Sequence, residues 1–420
     1  MEIEEELDQK IYEIISKDLE NLGLSWPSDK LVLSEKERVK VWARGGYTVG
    51  QLVHLVRQNK LMALAPDDII GVPSTGSASR QDCNISVKLA KDRITLPMPI
   101  FSSNMECVTD ANLAITMALM GGIGVLHQFQ EIADQAREVE TVKKAPIKKI
   151  EISGREYVPA LDCNGRLLVA AASSVKNDFM KRVDALVKAG VDILVLDVAH
   201  GDSVQMYDAI KKVREKYPAV VLMAGNIITP KAAYLFCKNG VDIIKANVGP
   251  GFACTTRKIT GFGVPSITGL YDVVMVAREF GVDVIGDGGV NDSGTGVKYL
   301  ATGVKGLMIG TTLAATSSSA KFGQRHNQQK NTVLVWGSAS ERSKESQGRP
   351  KWDAPEGIAR EMNCLGETKL YLANFITGLQ SGLSYAGADA HGQNNIGRLT
   401  KYSRWALQTA AGAFEGKKGN

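Results

Sequence analysis

The sequence predicts an α/β protein built on a (β/α)8, or TIM, barrel, with a helical extension before it and a lid after it. Three observations lead there. Eight short apolar runs lie between residues 99 and 309, amphipathic stretches of helical period separate them, and polar or glycine residues follow most of the runs directly. The runs are residues 99–102, 123–126, 167–171, 193–196, 220–223, 243–246, 284–285 and 307–309. Helical stretches between them include 178–189, 203–216, 230–239 and 293–302. A doubly wound open sheet is the alternative, although eight units exceed what most open sheets need.

Before the barrel, residues 1–65 read as a helical extension: Leu7, Ile11, Ile14, Ile15, Leu19 and Leu22 recur at three- and four-residue spacing, and Leu52, Val53, Leu55 and Val56 repeat the pattern. Residues 66–420 form the expected catalytic domain. Within it, about 317–360 is a lid segment and 405–420 a C-terminal tail. The stretch 317–356 is polar and poor in apolar periodicity, which suggests a functional lid without regular structure of its own; a disordered surface insertion is the plainer reading. Helical spacing resumes over 362–382.

Composition excludes several function classes. With 44 % hydrophobic and 23 % charged residues the chain can bury a large core, and its net charge of +5 is scattered rather than gathered into a basic run, so nucleic acid is not an expected partner. No apolar run approaches the roughly 18 residues that a membrane span needs. The six cysteines, at 83, 107, 163, 237, 254 and 364, form no CxxC pair, and the first residues are acidic rather than signal-like. A reducing, cytoplasmic setting is expected.

In a barrel, residues that follow the strands converge on one rim, and that rim is the active-site face. Ser103-Asn104-Met105 follows the first run, His127 the second, Asp197-Val198-Ala199-His200-Gly201 the fourth, Gly225-Asn226 the fifth, Asp287-Gly288-Gly289 the seventh and Gly310-Thr311 the eighth. After the sixth comes Gly249-Pro250-Gly251-Phe252-Ala253-Cys254-Thr255-Thr256. This puts a thiol on a glycine- and proline-bounded loop leaving a strand, where a nucleophile belongs. A free cysteine is more often a small buried hydrophobe. The loop favours the nucleophile.

The Cys254 loop, with Arg257, Thr260-Gly261-Phe262-Gly263-Val264-Pro265 behind it, Gly225-Asn226 before it and Asp287-Gly288-Gly289 after it, resembles the IMP dehydrogenase and GMP reductase family from about residue 95 to the C-terminus. The resemblance implies that Cys254 attacks C2 of a purine 5′-nucleotide and forms a thioimidate, while a nicotinamide cofactor exchanges hydride at that carbon. It implies substrate contacts from Asn104, Met105, Asn226, Gly251, Asp287, Gly288, Gly289, Gly310, Thr311, Gly337 and Ser338. Cofactor contacts would come from Asp197, Val198, Ala199, Gly249 and Glu356. Thr256 and Glu356, in Pro355-Glu356-Gly357, match a proton relay of the reductase branch.

The dehydrogenase branch instead uses an Arg-Tyr pair on a flap, and none occurs between residues 337 and 356. Only about ten residues join the chain near 149–153, where the dehydrogenase would carry a regulatory module of tandem repeats. The sequence therefore leans toward NADPH-dependent reductive deamination of GMP or a modified purine nucleotide. IMP oxidation with NAD, a catalytically silent nucleotide-binding homologue, and a phosphate-binding barrel of unrelated chemistry are the alternatives. Two residues depart from the family: Phe252 replaces a phosphate-binding serine, and Ser338 replaces a methionine that lies against the base. The resemblance further implies a homotetramer. It also implies a candidate monovalent-cation (K+) site at Gly249, Gly251, Cys254, Glu415 and Gly416, which Lys417 would weaken.

Overall fold

The computed structural model describes residues 9–11, 13, 14, 16, 17, 47–60, 63–75, 77–346, 354–389, 392 and 395–416. Eight parallel strands close into a barrel in chain order, each pairing with the next and the last with the first. They are β1 (Ile100–Ser102), β2 (Ile123–Leu126), β3 (Val169–Ser173), β4 (Ile193–Asp197), β5 (Val221–Ile227), β6 (Ile243–Ala246), β7 (Asp283–Asp287) and β8 (Gly306–Ile309). The connecting helices are α1 (Ala111–Leu119), α2 (Ile132–Lys144), α3 (Phe179–Ala189), α4 (Val204–Lys216), α5 (Pro230–Lys238), α6 (Ser266–Glu279) and α7 (Ser293–Ala301), and α8 (Thr368–Tyr385) follows the lid.

Local chemistry explains these boundaries. A barrel strand is covered by helices outside and side chains inside, so it is apolar on both faces; β2, β3, β6 and β8 are buried at every residue. Each helix start that follows a strand needs its free N–H groups satisfied. Asp110, Ser203, Thr229 and Asp292 do this by accepting from Leu113, Met206, Ala232 and Thr295, and Pro230 sits at the first turn of α5, where its missing N–H costs nothing.

Of the N-terminal extension, Val49–Lys60 forms a helix that packs on α6 with Leu52 and Val53 buried. The expected helical residues Leu7, Ile15, Leu19 and Leu22 lie outside the described residues. Ile69–Val72 pairs antiparallel with Arg404–Leu407, and Trp405, paired with Gly71 in this ladder and bridged to Tyr47, is buried. Ala410–Glu415 forms a short helix beyond it, with Phe414 exposed.

The segment 317–356 departs from the expectation that it lacks regular structure. Thr332–Trp336 is the middle strand of a three-stranded antiparallel sheet, flanked by His326–Asn327 and Ala359–Asn363, and Glu341–Ser346 is helical. Its Thr-Val-Leu-Val-Trp sequence is rich in β-branched residues, and Val333, Val335 and Trp336 turn inward. Met362 belongs to this sheet, so helical structure resumes at Thr368 rather than at 362.

Candidate active site

The rim is built from the loops that leave β1, β4, β5, β6, β7 and β8, with residues 337–340 and 356–358 of the expected lid laid across the β6 loop. After β6 the chain turns sharply. Gly249 takes a φ of +81°, and a Cβ there would meet the Arg257 side chain at 2.6 Å. Arg257 staples the loop by donating from Nε to the Val248 carbonyl and from Nη2 to that of Val264. Cys254 emerges half-buried beyond this turn, its amide donating to the Gly251 carbonyl at 2.9 Å.

The lid reaches the cysteine through backbone. Cys254 bridges Gly357, Ile358 donates its N–H to Ala253 O at 3.0 Å, and Thr255 donates to Glu356 O at 2.8 Å. On its other side, Glu356 N–H donates to Ala339 O at 3.1 Å and Gly337 N–H to Ile358 O at 3.3 Å. These bonds bring Glu356 to Thr256, two residues beyond Cys254. The Cys254 thiol lies 3.2 Å from the Thr256 hydroxyl, which donates to Glu356 Oε2 at 2.8 Å. A thiol, a hydroxyl and a carboxylate in line can move a proton between a bound reactant and the lid.

Beneath the rim lies a second constellation. Lys245 on β6 is buried, and its ammonium donates to Asp197 Oδ1 at 2.8 Å, Asp287 Oδ2 at 2.7 Å and Asn226 Oδ1 at 2.6 Å. Burial alone would push this ammonium's pKa down, but the two carboxylates outweigh it and raise it, so Lys245 is charged. Asn226 Nδ2 donates to the same Asp287 oxygen at 2.7 Å, and Asn104 Nδ2 to Asp197 Oδ2 at 2.9 Å. Among the described residues no hydrogen bond to Asp287 Oδ1 joins this set, which leaves an acceptor for a ligand.

The other sequence-derived residues fall as follows. Val198 donates its N–H to Gly225 O and accepts the Asn226 N–H on its carbonyl, each at 3.0 Å, and Ala199 is exposed on the rim beside them. Gly288 and Gly289 turn with positive φ against Pro250 and Gly251. Met105 lies against Gly310, Thr311 opens a short helix, and Gly337 lies against the Ala253 carbonyl with Ser338 half-buried next to it. Glu415 and Gly416 are not brought to the Cys254 loop within one chain: their helix packs against Pro66–Asp68. Phe252 is 43 % exposed, with the Arg360 guanidinium 5.1 Å from its ring centre.

Two features escape sequence reasoning. Lys245 sits inside an apolar run, Ile243-Ile244-Lys245-Ala246; the available signal was a lysine in a strand buried on both faces, which requires a buried anion. The lid anchor is the other. Buried Cys107 donates its thiol to the Trp336 carbonyl at 3.2 Å and accepts from Trp336 N–H at 3.5 Å, tying the β1 loop to the lid strand. Burial pushes the Cys107 thiol's pKa up, which makes it a poor nucleophile. At the end of β2, burial also lowers the pKa of His127 to about 4, so the imidazole is neutral and accepts the Phe129 N–H on Nδ1 at 3.1 Å.

Comparison with known proteins agrees with this geometry. Residues 63–418 match the model of the IMP dehydrogenase / GMP reductase domain. The inosine-5′-monophosphate dehydrogenase of Borreliella burgdorferi is 36 % identical over 365 residues, covering 78 % of this chain and 90 % of that protein. Those of Staphylococcus haemolyticus and Bacillus subtilis are 29 % and 28 % identical, covering 78 % and 83 % of this chain and 90 % and 94 % of theirs. Among the described residues no helix is long and apolar enough to cross a membrane. A closed eight-stranded barrel and a match that takes in the whole of it agree on one ancestry: the chain belongs to the IMP dehydrogenase / GMP reductase family of oxidoreductases.

Proposed function

We propose that the chain catalyses NADPH-dependent reductive deamination of a purine 5′-nucleotide, GMP or a modified relative, through a covalent bond to Cys254. The observation that carries this reading is the unbroken line from the Cys254 thiol through the Thr256 hydroxyl to the Glu356 carboxylate. In this reading Cys254 adds to C2 of the purine as thiolate, the exocyclic amine leaves as ammonia with a proton delivered along Thr256 and Glu356, and a thioimidate remains. A bound nicotinamide cofactor would supply a hydride to C2, and Cys254 would then leave as thiolate, so that GMP becomes IMP. Exposed Ala199 beside Asp197 and Val198 fits an extended ligand lying along the rim toward Cys254. Asp287 Oδ1 is free to accept from ribose hydroxyls, and Gly288 and Gly289 offer backbone to the phosphate side. Phe252 cannot donate a hydrogen bond there. Arg360, over its ring, carries a charge suited to an anion.

A second reading, oxidation of IMP with NAD and hydrolysis to XMP, is favoured by the relatives, each named an inosine-5′-monophosphate dehydrogenase. In that direction the same Thr256–Glu356 pair would take the proton from the attacking water. Purified protein given GMP with NADPH, and separately IMP with NAD, distinguishes the two by product: ammonia and IMP support the first reading, XMP the second. A purine-nucleotide panel with both cofactors that yields no turnover would exclude both.

A further inference from the structure

Among the described residues the Cys254–Thr256–Glu356 line and the ion network beneath the rim share no hydrogen bond, yet the network touches both expected subsites. Asp287 stands on the nucleotide side and Asp197 on the cofactor side, and one ammonium joins them. An ammonium has three protons to donate, and Lys245 places all three within 2.6 to 2.8 Å of acceptors on three different strands. The barrel makes room for this lysine at a specific cost in sequence freedom. Gly225, its neighbour across the β5–β6 ladder, could not carry even a methyl group, because a Cβ there would sit 2.2 Å from the Lys245 carbonyl oxygen and 2.7 Å from its Cβ.

We propose that Lys245 is the positioning residue of this site, a single buried cation that fixes Asp287 and Asp197 together and so couples the nucleotide subsite to the cofactor subsite. The proposal rests on the functional reading above. Its physical basis is charge. Two carboxylates that both approach one nitrogen within 2.8 Å would repel each other strongly in a buried site without the cation, and one of them would take up a proton near neutral pH. The other groups that face the pair are neutral or occupied. Asn226 and Asn104 donate to Asp287 and Asp197, the Tyr299 hydroxyl on α7 donates to Gly288 O at 3.2 Å, and the Arg257 guanidinium is held by the Val248 and Val264 carbonyls. None can replace the ammonium.

The position has two roles to separate, packing and charge, and the variants do so. Lys245→Met keeps the length of the stem and removes the charge. Lys245→Met with Asp197→Asn removes one carboxylate as well, restoring the net charge of the wild-type cluster. Two readouts apply to the unliganded and liganded protein: titration of the aspartate side-chain carboxyls by 13C NMR, and the affinity for GMP and IMP measured calorimetrically between pH 5.5 and 8.5. In Lys245→Met one carboxyl should titrate near neutral pH, and nucleotide affinity should fall about tenfold or more on the acid side of that titration. In the double variant the pH dependence should vanish and nucleotide affinity should return to within about threefold of wild type, while the KM for the nicotinamide cofactor stays raised. A folded Lys245→Met protein whose carboxyls and nucleotide affinity follow wild type at every pH would overturn the proposal. So would a single variant that loses thermal stability without any pH-dependent change. Should the single variant not fold, the double variant alone decides: wild-type-like nucleotide affinity with impaired cofactor KM supports the coupling, and equal impairment of both refutes it. A wild-type chain that binds neither nucleotide overturns the proposed function instead, and the carboxyl titration then still decides the Lys245 assignment.

Discussion

Replacing Glu356 by glutamine isolates the role of its charge, because the lid holds this residue by its backbone. Thr255 N–H donates to Glu356 O and Glu356 N–H to Ala339 O, and neither bond involves the side chain. The fold and the lid position should therefore survive, with a melting temperature close to wild type. What changes is the acceptor 2.8 Å from the Thr256 hydroxyl, from an anion that can hold a proton to an amide that cannot. A hydrogen bond to a charged partner contributes about 1.5 to 3 kcal/mol. The loss of a general acid–base group lowers rates by about 100-fold, equivalent to about 2.7 kcal/mol. Both scales agree on about a 100-fold fall in kcat with little change in nucleotide KM. Steady-state turnover together with rapid-mixing measurement of NADPH absorbance tests this, since hydride transfer should be slowed less than deamination. Thr256→Val should match the loss, and the double variant should be no worse than either single one because the two residues act as one relay. A Glu356→Gln enzyme within threefold of wild-type kcat would refute the relay, and a large drop in melting temperature would show that the side chain serves the lid rather than the chemistry.

Three further outcomes follow from the structure. His127 is neutral in the fold, its pKa lowered to about 4 by burial with only partial offset from Glu106, against 6.5 in the unfolded chain. Its contribution to stability is therefore fully present above pH 6.5 and is lost as pH falls toward 4; unfolding by urea should show about 2 kcal/mol less stability at pH 5 than at pH 7 from this residue, and His127→Asn should flatten that dependence. Asp287→Ala should cost about 2 to 4 kcal/mol in kcat/KM for the nucleotide, while a ribose-free base analogue is nearly indifferent; equal losses for both ligands would make Asp287 structural. Exchanging potassium for choline in the assay should change the rate little, and a strong activation by potassium would contradict the weakened cation site expected from Lys417.

The barrel was legible because a parallel sheet covered on both sides must be written as unbroken apolar runs, and the runs at 123–126, 193–196 and 243–246 stand where β2, β4 and β6 lie. The candidate nucleophile was legible for a different reason: Gly249, Pro250 and Gly251 mark a strand exit, and local sequence shows that turn. The lid sheet was hidden because its pairing is not local. Thr332–Trp336 pairs with Ala359–Asn363 across polar residues, and no window around either strand contains the partner. The ladder between Ile69–Val72 and Arg404–Leu407 was hidden in the same way, across nearly the whole chain. Lys245 escaped because periodicity counts apolar neighbours, whereas its partners Asp197, Asn226 and Asp287 come from three other strand ends that only closure of the barrel brings together.

Covalent chemistry at Cys254 is tested most directly by the mass of the cysteine-bearing peptides after the protein is incubated with nucleotide and quenched in acid. GMP alone, or IMP with NAD, should leave a purine-nucleotide adduct on the peptide containing Cys254, with none on Cys107, whose thiol is fully buried against Trp336. Cys254→Ala should lose both adduct and turnover while still binding the nucleotide, because the half-buried thiol contributes little to the core. An adduct on another cysteine, or an alanine variant that turns over at the wild-type rate, would contradict the account.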